Sequence, residues 1–282
     1  MKIHIVNIGL AGFFDRKSDI IYGLFHSLSS LGHEVSIGQN TFEPGWLNLV
    51  VGSDVISNNA SAVDTIIKSK YDYAIYEVEN FNGVTMNYLK DFNLESYERL
   101  LRHSKFAITP YKYNLTSLQQ TCANATPVEY VKWGFHERMI DENINRCGRY
   151  KYQALFFGLM KGTRIQKGKL LKNHFESKIQ FIDENMPFTI RAFYISACKF
   201  GLALSYGKTD NFVNPCRIMC MLANGMPVLA DHIIDEDGYL DWCETYNHSN
   251  LVNAIENHRS NQKEIADCCH ANRLADGLKN LF

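Results

Sequence analysis

The sequence lacks several patterns that define common functional classes. It has eight cysteines but no Cys-x-x-Cys pair, which disfavours zinc-binding and thioredoxin-like sites. It also has no Gly-x-Gly-x-x-Gly segment, and no acidic residue ends its second predicted strand, which disfavours a nicotinamide-dependent enzyme. The function must therefore be argued from other features of the chain.

Long apolar runs and a large excess of one charge are absent as well. No run approaches the roughly 18 apolar residues of a membrane span. Residues 1–8 lack the basic start, apolar core and cleavage site of a signal peptide. We therefore expect a cytoplasmic protein with no integral membrane segment. The net charge of −1 argues against a general binder of polyanions, although it leaves room for a local basic groove.

The chain does contain a repeated alternation of strand and helix patterns. Its 282 residues, 46% of them hydrophobic, suffice for two domains with cores. Strands are predicted at residues 2–8, 33–38, 47–51, 71–78, 106–109, 128–133, 153–157, 178–183, 201–206 and 226–230. Helices are predicted at residues 19–31, 94–103, 114–121, 165–175, 187–199, 215–223, 237–242 and 249–256. This order predicts two doubly wound α/β domains, residues 1–135 and 136–282.

The most informative segment follows a predicted strand and contains residues 211–230. Pro215 suits the first turn of a helix, and Gly225 suits the position after the last turn. A polar loop with Asn214 leads into this helix, whose N-terminus favours anions such as phosphate. Arg217 lies in the first turn and offers a bidentate contact to the same anion. The alternative interpretation is an ordinary strand–helix–strand unit with a glycine cap.

These residues resemble a family motif. Pro215-x-Arg217, followed by Ala-x-Gly-x-Pro-Val at residues 223–228, is similar to the donor-binding signature of GT-B glycosyltransferases. The resemblance implies two Rossmann-like domains facing a cleft. The N-terminal domain would lie on the acceptor side, and the C-terminal domain would bind a nucleotide-sugar. The last helix would cross back to the first domain. The chain departs from the motif at Cys220, where the family carries an acidic residue that binds the ribose, and this puts that contact in doubt.

The resemblance also implies a reaction. A sugar would pass from a nucleotide-diphosphate-sugar to an acceptor hydroxyl, and no cofactor is expected besides this co-substrate. The acceptor classes are a saccharide, a lipid-linked glycan or a modified nucleobase. Family members with this signature are mostly retaining, so retention is expected. Cationic side chains and a helix N-terminus are expected to neutralise the leaving diphosphate without a protein-bound metal.

A basic stretch supplies further candidates for the donor site. Residues 151–175 contain six lysines and arginines and no acidic residue. In the resemblance, Arg164 takes the place of the catalytic arginine that binds the donor diphosphate, and Lys161 or Lys167 takes the place of a lysine. Gly158 beside these side chains suits a phosphate cradle. A solvated basic helix face and a nucleic-acid groove are the alternatives.

The first domain offers two glycines and one carboxylate. Gly9 and Gly12 follow the first strand, where they either let the backbone approach the donor or only permit a tight turn. The strand at residues 71–78 delivers Glu79 to the carboxyl edge of the sheet, where ligands of such sheets bind. Glu79 is therefore the candidate catalytic carboxylate, which binds the acceptor hydroxyl or assists its deprotonation. A solvated strand end is the alternative.

Two other functions stay open. One is a transferase that glycosylates modified DNA bases, as viral enzymes do, and the basic stretch permits it. The other is an inactive GT-B-like protein that only binds a nucleotide, which would fit the cysteine at position 220.

Overall fold

The computed structural model describes residues 1–9, 13–86, 92–123, 125–146, 148–182, 188–205, 213–231, 235–247, 250–258 and 272–282. The chain separates into two compact units. The first comprises Met1–Trp133 with Leu274–Phe282, and the second comprises Gly134–Arg273. The roles assigned to the two predicted domains stay predictions.

The first unit is a parallel sheet with helices. Its strands are β1 (Lys2–Asn7), β2 (Glu34–Gln39), β3 (Leu47–Val51), β4 (Tyr73–Tyr76), β5 (Ala107–Thr109) and β6 (Val128–Tyr130). Its helices are α1 (Phe13–Ser30), α2 (Ser53–Ser57), α3 (Ala60–Lys68), α4 (Leu94–Arg102) and α5 (Lys112–Thr121), together with the last described helix, α10 (Leu274–Leu278). The strand order is β2-β1-β3-β4-β5-β6, with parallel pairing throughout.

The second unit repeats this plan. Its strands are β7 (Tyr152–Phe157), β8 (Ile179–Ile182), β9 (Cys198–Ala203), β10 (Val228–Asp231) and β11 (Glu244–Tyr246). Its helices are α6 (Thr163–Phe175), α7 (Phe188–Ala197), α8 (Pro215–Ala223) and α9 (Leu251–Asn257). The strands pair in parallel in the order β11-β10-β9-β7-β8. The predicted class, two doubly wound α/β domains, is confirmed.

The strand order fixes where ligands can bind in each unit. The neighbours of β1 are β2 on one side and β3 on the other, and the neighbours of β7 are β8 and β9. The chain therefore reverses its direction of winding beside β1 and beside β7. In open parallel sheets, this reversal leaves a crevice at the carboxyl ends of the strands, where ligands bind.

Each sheet has its own apolar core. Val6, Val50 and Ile75 are fully buried in the first unit, because strands covered on both faces read as continuous apolar runs. In the second unit, Phe156 and Phe200 are fully buried. None of the described helices is long and apolar enough to cross a membrane.

Several element predictions were wrong. The helix predicted at residues 237–242 is a single 3-10 turn, Leu240–Trp242, followed by strand β11. Strand β9 begins at Cys198 rather than at residue 201, and it takes residues that were assigned to the preceding helix. Helix α1 begins at Phe13 rather than at residue 19. Helices α2 and α3 were not predicted.

Candidate functional site

The loop after β7 forms the centre of the candidate site in the second unit. Gly158 has a φ of +136°, a conformation that side-chain-bearing residues rarely adopt. A Cβ atom at this position would lie 2.3 Å from an Nη atom of Arg217. The missing side chain therefore provides the space that the Arg217 guanidinium occupies.

Arg217 is brought to this loop by helix α8. The Asn214 side chain accepts the Arg217 backbone N–H at 3.0 Å, and Pro215 occupies the first helical position. The sequence predicted Pro215 in the first turn, and the structure adds Asn214 as the N-cap. The guanidinium carbon lies 4.9 Å from the ring centre of Phe156 and 5.9 Å from that of Phe157, and the residue is 8% exposed. Ring stacking holds an arginine head group in a fixed orientation.

Arg164 joins the loops that follow β7 and β9. Its Nε donates to the Leu204 carbonyl at 3.0 Å, and one Nη donates to the Leu159 carbonyl at 3.1 Å. Its guanidinium carbon lies 5.5 Å from the ring centre of Phe156, the ring that Arg217 also contacts. Arg164 and Arg217, the arginines predicted for the diphosphate, therefore both lie at the carboxyl end of β7, where the chain reverses its direction of winding.

Lys167 lies one turn further along α6 and forms a buried ion pair. Its Nζ donates to the Asp231 carboxylate and, at 2.6 Å, to the Ser205 hydroxyl. Burial and the nearby charge of Arg164 lower the pKa of Lys167 in spite of this carboxylate. Burial alone would raise the pKa of Asp231, but hydrogen bonds from Lys167 and from Ser205 hold it below its ordinary value. Lys167 is thus anchored, whereas Lys161 is exposed at the turn before α6.

Sequence reasoning missed Asp231 and Ser205. Asp231 ends the apolar strand β10 and is fully buried, and a carboxylate that closes a buried strand was the available signal. Cys220, at the position of the family's acidic residue, is 7% exposed within α8.

One Asp-x-Asp triplet occurs, at residues 235–237. The Asp235 carboxylate accepts backbone N–H groups of Leu240 at 2.5 Å and of Asp237 at 3.3 Å, so it orders its own loop. In the part of the chain that the structure describes, no group of three or more His, Cys, Asp and Glu residues is arranged to hold a metal ion.

In the first unit, Gly9 is fixed by a neighbouring side chain. The Asn40 amide accepts the Gly9 N–H at 3.0 Å and donates to the Gly9 carbonyl at 2.7 Å. Asn40 itself follows β2 and has a φ of +55°. The loop after β1 is therefore held at Gly9. Gly12, the second predicted glycine, lies outside the described residues.

Glu79 is half-buried and follows β4, with its backbone held on both sides. Its N–H donates to the Glu77 carboxylate at 2.9 Å, and its carbonyl accepts the Asn114 amide at 2.8 Å. The Asn114 side chain also accepts the Phe81 N–H at 2.9 Å. The backbone that carries the predicted catalytic carboxylate is therefore anchored.

The buried Glu77 carboxylate holds the backbone of the loop after β4 in place. It accepts the hydroxyls of Ser53 at 2.5 Å and of Tyr97 at 2.7 Å, in addition to the Glu79 N–H. Burial, with a smaller contribution from the charge of Asp54, raises the pKa of Glu77 to about 7, although these hydrogen bonds act in the opposite direction.

The raised pKa makes stability depend on pH. In the unfolded chain Glu77 ionises at its ordinary pKa of 4.5, whereas in the folded chain it ionises near 7. The protonated form of Glu77 therefore favours folding. Its contribution to the unfolding free energy is complete below pH 4.5 and is lost as pH rises to about 7. We expect a loss of about 3 kcal/mol in unfolding free energy across this window.

Urea unfolding at a series of pH values measures this effect. The Glu77→Gln variant has no charge to lose, so its unfolding free energy should change less over the same window. The matched control is Glu129→Gln, at an exposed position on β6, which should keep the wild-type pH profile. Identical profiles for wild type and Glu77→Gln would contradict the raised pKa.

Comparisons with known proteins identify the fold. No family model matches the sequence, and no curated protein is detectably similar to it in sequence. The T4 phage enzyme BGT, solved with its UDP-glucose substrate, is 16% identical with a TM-score of 0.56, over 99% of this chain and 96% of that one. An alpha-glucosyltransferase, solved with UDP and a 13-mer DNA, is 9% identical with a TM-score of 0.57, over 99% of this chain and 95% of that one.

A trehalose-6-phosphate synthase has a similar structure as well. It is 8% identical with a TM-score of 0.56, over 100% of this chain and 98% of that one. The similarity covers nearly the full length of each protein. The chain therefore has the GT-B fold that the motif at residues 215–228 predicted.

Proposed function

We propose that this protein is a glycosyltransferase that moves a sugar from a nucleotide-diphosphate-sugar to an acceptor hydroxyl. The observation that carries the proposal is the pair of Arg164 and Arg217 on the ring of Phe156 beside Gly158, with Lys167 one turn further along α6. Two of these cations lie in the first turns of helices α6 and α8, whose N-terminal N–H groups also favour phosphate.

The roles of these groups follow from the charge that develops in the reaction. When the bond between sugar and diphosphate breaks, negative charge accumulates on the leaving diphosphate. Arg217 and Arg164 would stabilise this charge, and exposed Lys161 would add a further cation. The second unit would bind the donor without requiring a protein-bound metal, and transfer would proceed with retention of configuration.

The first unit would bind the acceptor. Glu79 would accept a hydrogen bond from the attacking hydroxyl, on a backbone that Glu77 and Asn114 hold in place. Gly9 would line the loop that approaches the donor. The protein would act in the cytoplasm, on a saccharide, a lipid-linked glycan or a nucleobase.

A nucleic-acid acceptor is a second candidate that the surface of α6 favours. The side chains of Arg164 and Lys167 contact the loop after β9. The other lysines in and just before α6 are exposed: Lys161, Lys169 and Lys172. The helix has no acidic residue. Exposed lysines on one element suit contact with phosphates, and such binding weakens steeply with salt. Retention on duplex DNA that falls with added salt would support this acceptor, and absence of retention at low salt would exclude it.

The first test is a thermal-shift panel of UDP, GDP, TDP and ADP. A ligand that binds only the folded state raises its melting temperature. We expect a clear shift with one nucleoside diphosphate, followed by release of that nucleotide from its sugar conjugate. The absence of any shift at millimolar concentration would contradict the proposal. A shift without turnover on any acceptor would instead indicate a nucleotide-binding protein without transferase activity.

The Gly158→Ala variant tests the loop after β7. The new methyl group would meet the end of Arg217 and force it from its place, so we expect diphosphate binding to weaken about tenfold or more. The positive φ adds a backbone penalty of about 1–3 kcal/mol. Isothermal titration with pyrophosphate and thermal unfolding measure the two effects separately.

The matched control is Gly148→Ala. Gly148 also has a positive φ, of +79°, but a Cβ there would meet nothing within 4 Å. The Gly148→Ala variant should therefore also lose stability through its positive φ, but it should bind pyrophosphate as tightly as wild type. Equal losses of binding in both variants would show that backbone strain, rather than the displacement of Arg217, weakens binding.

A further inference from the structure

A third arginine lies beside one of the two aromatic rings that Arg217 contacts. Arg191 lies in the first turn of α7, and its guanidinium carbon is 5.2 Å from the ring centre of Phe157. The same ring lies 5.9 Å from the guanidinium carbon of Arg217. Arg191 and Arg217 are equally buried, each 8% exposed. The end of β7 thus has arginine head groups from three helices, α6, α7 and α8, around it.

Each of these arginines lies in the first turn of its helix. A helix N-terminus carries partial positive charge, so acidic residues are favoured in the first turn and basic residues are not. None of α6, α7 and α8 has an acidic residue in its first turn, and each has an arginine there. A polyanion at the end of β7 would be favoured both by these helix N-termini and by the arginine side chains.

Helix α7 is anchored so that Arg191 keeps its position. At the other end of the helix, the Arg146 guanidinium donates to the carbonyls of Ile195, Cys198 and Lys199 at 2.5, 3.0 and 2.8 Å. On the sheet side, the Gly158 N–H donates to the Ile182 carbonyl at 3.1 Å, which ties the loop after β7 to the strand that precedes α7. The contact between Arg191 and Phe157 therefore lies between two fixed elements.

We propose that Arg191 is a third arginine of the diphosphate site, in addition to Arg164 and Arg217. This inference rests on the proposed function of the same site. Arg191 would contact the diphosphate directly from α7. A group with at least two negative charges matches this cluster better than a monophosphate does.

The test compares pyrophosphate, UDP and uridine as ligands of wild type and Arg191→Gln. Removing a charge-assisted contact should weaken pyrophosphate and UDP binding about tenfold or more. Uridine, which carries no phosphate, should bind within about twofold of wild type. A structural role for Arg191 would instead weaken all three ligands together, and unchanged pyrophosphate binding would also overturn the inference.

Two further variants make the outcome decisive. Lys178→Gln removes one exposed charge from the turn before β8 and should retain wild-type pyrophosphate affinity. A loss of affinity in that variant would attribute the effect to net charge rather than to Arg191. Arg191→Lys keeps the charge but loses the bidentate fork of the guanidinium. We expect it to bind pyrophosphate less tightly than wild type, and this variant provides the test if the glutamine variant fails to fold. If wild type binds neither pyrophosphate nor any nucleoside diphosphate, the proposed function itself fails. If wild type binds them and both Arg191 variants do so equally well, only this inference fails.

Discussion

Replacing Arg217 with glutamine is expected to lower kcat/KM for the donor by about 10²–10³-fold. The guanidinium is held against Phe156 and Phe157, in the space that Gly158 leaves open, so it is oriented before the donor arrives. A preorganised cation stabilises the charge that develops on the leaving diphosphate more than it stabilises the ground state. The loss should therefore be larger in kcat than in the binding of the nucleoside diphosphate.

Steady-state kinetics with the nucleotide-sugar selected by the thermal-shift panel measure this loss. Lys178→Gln, at an exposed position before β8, is the control for the loss of one positive charge, and it should turn over at the wild-type rate. Arg164→Gln is a less clean variant, because the Arg164 side chain also holds the Leu204 and Leu159 carbonyls and its removal should reduce stability. Wild-type turnover by a folded Arg217→Gln protein would remove Arg217 from the site.

Replacing Glu79 with glutamine is expected to lower kcat by about 10²–10⁴-fold, with donor binding unchanged. The substitution removes the carboxylate that would take the proton of the acceptor hydroxyl. It preserves the backbone contacts to Glu77 and Asn114, because those use the Glu79 N–H and carbonyl. The loop should therefore keep its conformation.

The control for Glu79→Gln is Glu129→Gln, which removes an exposed carboxylate from the same unit. The two readouts are single-turnover transfer to the acceptor and titration with the nucleoside diphosphate. A decrease in transfer with intact nucleotide affinity supports the assignment. Equal decreases in transfer and affinity would assign Glu79 to structure, and unchanged transfer would exclude it as the acceptor base.

The parts of the fold that were predicted correctly have local signals. Helix α8 runs over Pro215–Ala223, as predicted, because Asn214, Pro215 and Gly225 mark its two ends in the sequence itself. Strand β3 runs over Leu47–Val51, as predicted, since a short apolar run suits a strand buried on both faces. These features depend on residues within a few positions of each other.

The parts that were missed depend on distant partners. Strand β11 has three residues, two of them exposed, and it exists because β10 pairs with it. Arg191 lies in a mixed segment whose pattern predicts a helix, and only the fold places it beside Phe157. The pairing of β11 with β10 and the contact of Arg191 with Phe157 join residues that are far apart in the sequence. No local sequence pattern indicates either of them.

The buried pair of Lys167 and Asp231 has an evolutionary consequence. The two residues are 64 positions apart, and Asp231 is fully buried. Losing one partner would leave an uncompensated internal charge, which costs about 3–5 kcal/mol, whereas exchanging both for apolar residues can be nearly neutral. Divergent relatives should therefore retain both residues or replace both. Such covariation would help to identify homologues whose overall identity is too low to detect.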